Sequence, residues 1–99
     1  MISVRIIKTY RDVVAVCDME LLGKVFEEGK FQLDTKESFY KGEEKSELEA
    51  VEILKSMLAE DATFNIVGSK SIKAALKAGI IEEESIGKIA GIPFVLVLT

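Results

Sequence analysis

Asp18, Glu20 and Lys24 stand close together where the apolar run Val13-Val14-Ala15-Val16-Cys17 stops. Two carboxylates beside an ammonium at a strand end can accept a proton, hold an anion or bind a polar partner, and loops that leave a rigid sheet often carry function. The competing expectation is structural. Asp is a preferred helix cap, so Asp18 would cap a short helical turn through Glu20 to Gly23, leaving Lys24 as an exposed charge. Cys17 adds a thiol to the same corner. Its place in an apolar strand predicts a small buried hydrophobe; the alternative is a thiolate activated by Lys24.

Two further segments carry groups of this kind. Gly68-Ser69-Lys70-Ser71 follows a strand-like run and opens a helix, so its free amides, aided by Lys70, could hold an anion such as a phosphorylated small molecule. The ordinary alternative is a Ser cap after a tight Gly turn. The spacing G-x-x-x-x-G-K-[ST] is missing, so this is no P-loop. Ser38-Phe39-Tyr40-Lys41-Gly42 sets two rings beside a lysine, which is the chemistry of stacking on a nucleobase. In a small domain the same pair is accounted for if Phe39 plugs the core and Tyr40 covers it. The glutamates at 27–28, 43–44 and 82–84 read as solvated faces, since neighbours such as Glu82 to Glu84 point different ways on most backbones.

Composition removes many other chemistries. The 99 residues include no His and one Cys. Ser-His-Asp and Cys-His nucleophilic sites are thereby excluded within the chain, as are His-ligated zinc and a thiolate cage. We expect no metal, no cofactor and no catalytic set. With 13 basic against 17 acidic residues the net charge is −4, which argues against broad nucleic-acid binding. Arg5 and Arg11 are the only arginines, so bidentate phosphate clamps have few candidates. A lone cysteine suits a reducing cytoplasm. No signal peptide is visible, and no apolar run approaches the roughly 18 residues of a membrane span.

The elements that must position these groups follow from periodicity. Ile2, Val4 and Ile6 alternate with Ser3 and Arg5, predicting a half-buried strand that pairs as a hairpin with Val13 to Cys17, apolar on both faces and therefore interior. Phe31 and Leu33 alternate with Gln32 and Asp34, and Glu28-Gly29-Lys30 reads as the turn leading into them. Ser46-Glu47-Leu48-Glu49 is a capping box, followed by a helix with Leu48, Val51, Leu54 and Leu58 as its apolar stripe, widened by Ile53 and Met57, ending near Ala59-Glu60. Thr63 to Val67 predicts a short strand. A second helix begins at Gly68-Ser69 and stops at Gly79, with Ile72, Ala75 and Leu76 on one face. Ile86 to Ala90 reads as a weak strand or a turn, and Pro93 to Leu98 as a strong strand. The order β-β-β-β-α-β-α-β gives a single α+β domain over residues 1–99, with a mixed or mostly antiparallel sheet and two helices packed on one face. If Phe94 to Leu98 lies at a sheet edge it could pair across a two-fold axis as a homodimer.

Cys17-Asp18-x-Glu20-Leu21-Leu22-Gly23-Lys24-x-Phe26-x-Glu28-Gly29, then Leu33 and Phe39-Tyr40-x-Gly42, resembles the leading motif of the small archaeal proteins grouped as domain-of-unknown-function family 424. Asn65-Ile66-Val67-Gly68, Ala74-Ala75, Gly79-Ile80 and Gly91-Ile92-Pro93 fit the same pattern. The family often carries His after the final Pro, where Phe94 stands here. The resemblance implies an archaeal cytoplasmic protein whose gene neighbours encode translation and ribosome-maturation factors. Residues and resemblance together lead us to expect a non-enzymatic binding module that meets a translation factor, a ribosomal component or a structured RNA. Its surface would run over Asp18, Glu20, Lys24, Phe39, Tyr40, Ser69 and Lys70. The alternative is a protein or enzyme for a phosphorylated ligand at Gly68-Ser69-Lys70.

Overall fold

The period-two pattern at the start of the chain forms β1 (Ile2–Ile7) in the computed structural model, which describes residues 1–98. β1 lies antiparallel to β2 (Val13–Asp18), pairing Ile2 with Asp18 and Ile7 with Val13. Because β2 is apolar at every position up to Cys17, it can bury both faces, and it does: Val14 and Val16 join one core cluster while Ala15 and Cys17 join another. β6 (Thr63–Val67) runs parallel to β2, with Val14 opposite Phe64 and Cys17 opposite Val67. β8 (Ile92–Val97) is antiparallel to β6, and β7 (Gly87–Ile89) pairs with the start of β8. β5 (Glu43–Lys45) pairs with Ile2 to Val4 at the far edge, giving a six-stranded mixed sheet of order β5-β1-β2-β6-β8-β7.

Two helices cover one face. α2 (Glu47–Ala59) begins with the capping box read from sequence: Glu49 N donates to Ser46 Oγ at 3.2 Å and Ser46 N donates to Glu49 Oε1 at 2.9 Å. α3 (Ser69–Ala78) stops at Gly79, whose φ of 75° is the left-handed conformation that glycine tolerates best. Ala50, Val51, Leu54 and Met57 of α2 and Ile72, Ala74 and Ala75 of α3 close over Val4, Val16, Phe64, Ile66 and Val95. The buried stripe of α2 is rotated from the predicted one. Leu48 is 72% exposed and Leu58 is also exposed, because the i, i+4, i+7 series that faces the sheet is Ala50, Leu54 and Met57.

The opposite face is covered by the excursion between β2 and β5. A short 3-10 turn (Met19–Leu21) leads to β3 (Val25–Glu28) and β4 (Phe31–Asp34), a hairpin forming its own two-stranded sheet, and then to α1 (Glu37–Tyr40), one helical turn that carries the Phe39-Tyr40 pair. Leu21, Leu22, Leu33, Phe39 and Phe94 pack around Ala15, Cys17, Tyr40 and Val67. Thr35 ties the excursion together: its hydroxyl contacts Leu21 O, Lys24 O at 2.7 Å and Lys24 N at 3.1 Å, while Thr35 N donates to Lys24 O at 2.9 Å. Tyr40 and Phe39 exchange their expected roles. Tyr40 is buried and Phe39 half-buried, the rings meeting edge-on with centroids 4.9 Å apart.

A buried carboxylate clasp at the strand ends

Side-chain parity in β2 decides what the corner does. Asp18 shares a face with Val14 and Val16, so its carboxylate points toward the helix layer rather than into the loop that follows it. β2 and β6 are parallel, and their carboxyl ends open together onto the first turn of α3. The Asp18 carboxylate closes that turn. Oδ2 accepts from Lys70 N at 3.1 Å, and Oδ1 accepts from Ser71 N at 2.8 Å and from Ser71 Oγ at 2.7 Å. Asp18 is 2% exposed and Ser71 fully buried. A negative charge at the positive end of α3, answered by amide donors, lets a carboxylate sit this deep without an ammonium partner.

The structure therefore joins two segments that the sequence kept apart, and corrects what was expected of each. The turn after Asp18 receives no side-chain cap from it; Asp18 instead caps a helix fifty-odd residues further on. Of the amides at the Gly68-Ser69-Lys70 start, Asp18 holds those of Lys70 and Ser71 and Pro93 O takes that of Gly68, so an external phosphate would have to displace the carboxylate to use the first turn. Ser69 is not the cap either, being exposed at the first helical position after Gly68. Gly68 has a φ of 107°, and a Cβ there would stand 2.5 Å from Asp18 Oδ1, so only glycine lets the carboxylate reach the helix. Gly68 and Ser71 belong to the segment expected to hold an anion, but neither was expected to serve Asp18. Ser71 could have been found from its place in the helix's first turn, where a hydroxyl can join a capping network.

On the surface of the clasp Lys70 Nζ meets Glu20 Oε2 at 2.9 Å, with side chains 52% and 54% exposed. The hydrogen bond from Lys70 holds the Glu20 carboxyl below its ordinary value of 4.5, and Glu20 in turn raises Lys70. Asp18, Glu20, Ser69 and Lys70 thus form one corner. Lys24, Phe39 and Tyr40 do not join it: Lys24 is exposed in the excursion, with its backbone gripped by Thr35, and the two rings pack on the other face of the sheet. Cys17 points the same way as the rings. Burial, followed by the charges of Asp18 and Glu20, pushes its thiol up to about 12. Tyr40 also rises to about 12, through burial first, then Cys17 and Asp34. Neither group is poised for proton transfer near neutrality. Among the described residues no three acidic or thiol side chains gather as a metal site, and no helix is long and apolar enough to cross a membrane.

A family model described as "Protein of unknown function (DUF424)" matches residues 7–99. No curated protein matches the chain. Among solved structures, the crystal structure of an uncharacterized conserved protein from Methanopyrus kandleri superposes with a TM-score of 0.84, covering 99% of this chain and 93% of that one at 24% identity. At that identity the likeness shows a shared fold.

Proposed function

The chain belongs to the DUF424 family of proteins of unknown function, and from that premise we propose that it is a non-enzymatic binding module whose strand-end corner docks a protein of the translation machinery. The observation that carries this reading is the Glu20–Lys70 pair, half exposed on a buried and fully bonded support. An exposed ion pair of this kind contributes about 0–1 kcal/mol to stability, so opening it to meet a partner costs little. The support beneath does not have to rearrange, which favours recognition by a preformed surface. Beside the pair lies a groove of about 280 Å³ lined by Met1, Ile2, Ser46, Glu47, Lys70 and Lys73. Its mix of apolar floor and both signs of charge suits a protein surface. A phosphate backbone fits less well, because Lys70 and Lys77 are already paired with Glu20 and Glu47 and the net charge is −4. That the partner belongs to translation or ribosome maturation rests on the gene context implied by the family resemblance.

Site-specific photo-crosslinking tests this reading. A crosslinker at Lys73, in the groove, is expected to capture a ribosomal protein or translation factor, while one at Lys55, exposed on α2, captures none. Equal capture from both positions removes the corner as the docking surface. Capture of RNA from Lys73 alone keeps the surface and replaces the partner.

A further inference from the structure

The last strand is flanked by β7 along only the first half of its length. Gly68 N donates to Pro93 O at 2.9 Å, so the backbone groups of Pro93, Val95 and Val97 face β6, and those of Phe94 and Leu96 face the other way. On that other side β7 pairs with Ile92 to Phe94 and no further, its last partner being Gly87 opposite Phe94. Continuing the register would place Ser85 opposite Leu96, but Ser85 lies in a 3-10 turn (Glu83–Ser85). Among the described residues, no backbone hydrogen bond reaches Leu96 from this side.

The chain from Gly79 to Ser85 runs past this open stretch and leaves a groove of about 330 Å³, lined by Ile80, Glu82, Ser85, Leu96 and Leu98 among others. Leu96 and Leu98 are 56% and 73% exposed. Glu82, Glu83 and Glu84 are exposed along the same connection, and among the described residues none of the three is ion-paired. An unpaired strand edge is a template for another strand, and sheets normally shield it with a charge or a neighbouring element. Here the edge carries leucines, and Glu82 stands across the groove, with Glu83 and Glu84 exposed beside it in the chain.

We propose that this edge of β8 is a strand-addition site for a short extended peptide segment that alternates apolar residues with Lys or Arg. Its backbone would pair with the outward N–H and C=O of Leu96. Its apolar side chains would cover Leu96 and Leu98, and its basic side chains would meet Glu82 to Glu84. Charge selects this occupant. A second copy pairing across a two-fold axis would bring its own Glu82 to Glu84 against the same three glutamates. The groove, at about 330 Å³, also has room for a few residues rather than a sheet edge. The site is separate from the strand-end corner, because Val97 lies opposite Phe64, at the amino end of β6, away from Val67 and the first turn of α3.

Hydrogen exchange and amide chemical shifts, with a synthetic peptide of alternating valine and lysine as the probe, test the proposal. In the free protein the Leu96 amide is expected to exchange quickly while Val95 and Val97 are protected by β6. The peptide is expected to slow Leu96 and shift the amides of Glu82 to Glu84, and a valine–glutamate peptide to do neither. Leu96→Pro removes a donor that the free fold does not use and should weaken the valine–lysine peptide roughly fivefold, the loss of about one backbone hydrogen bond. Replacing Glu82, Glu83 and Glu84 by Gln should weaken it while leaving Leu96 exchange fast. A Leu96 amide already protected in the free protein overturns the proposal. So do equal binding of the acidic peptide, or concentration-dependent dimerisation that protects Leu96, which would assign the edge to a second copy.

Discussion

Removing the Asp18 carboxylate should cost far more than the loss of an ordinary strand-end residue. Asp18→Ala withdraws the cap of α3, worth about 1–2 kcal/mol. It also leaves the buried Ser71 amide and hydroxyl without their acceptor, adding about 1–3 kcal/mol. The expected total is about 3 kcal/mol, a large share of the roughly 5–15 kcal/mol of a small domain, yet compatible with folding. Asp18→Asn should cost less, about 2 kcal/mol: its oxygen can still serve Ser71, but its amide nitrogen would face the Lys70 N–H, donor against donor. Ser71→Ala removes one hydroxyl contact and leaves both backbone bonds, for about 1 kcal/mol. Because Asp18 and Ser71 share a network, the double variant should be less destabilised than the sum by about 1 kcal/mol. Urea unfolding followed by circular dichroism measures all four. An Asp18→Ala variant within about 0.5 kcal/mol of the parent, or strict additivity with Ser71→Ala, would refute the clasp.

Gly68→Ala combines a positive φ with overlap of the Asp18 carboxylate and should exceed about 3 kcal/mol, whereas Gly79→Ala meets no atom within 4 Å and should cost about 1 kcal/mol, read by the same unfolding curves. Cys17 and Tyr40 both ionise near 12 when folded, against 9.0 and 10.0 ordinarily, so the unfolded chain loses these protons first. Stability should be undiminished below about pH 9 and fall as pH climbs toward 12, and native Cys17 should react with iodoacetamide no faster than local unfolding allows; a flat alkaline limb or rapid alkylation contradicts this. Glu20 shows the opposite sign. Its carboxyl is held below 4.5 by Lys70, so its contribution is present above that pH and lost as pH falls through the lowered value. Lys70→Ala should therefore flatten the acid limb of a melting-temperature profile, with the parent's limb shrinking in high salt.

Much of the scaffold could be read from local pattern. The capping box at Ser46 and Glu49, the Gly79 stop and the two-sided burial of β2 each depend on residues within one turn or one strand. What escaped depends on tertiary placement. β5 is three charged residues, Glu43-Glu44-Lys45, held by the edge of β1, with no periodicity of its own to announce it. The exchange between Phe39 and Tyr40 is set by how α1 docks over Cys17 and Val67, which ring size alone does not specify. In the corner, the unusual residues at 18, 20, 69 and 70 were visible, but their connection was not. The parity that puts Asp18 on the face of Val14 and Val16 was present in the sequence; the parallel pairing that delivers α3 to it was not. For the same reason Lys24 and Tyr40, near Asp18 along the chain or in chemistry, end up in other surroundings.

The exchange of charges between Glu20 and Lys70 probes the proposed docking surface most directly. Glu20→Lys combined with Lys70→Glu rebuilds the ion pair with reversed polarity and leaves Asp18, Gly68 and Ser71 untouched. The double variant should unfold at the parent's denaturant midpoint yet lose capture of the translation partner from cell extract. A double variant that retains both the midpoint and the capture would show that the partner does not read this corner.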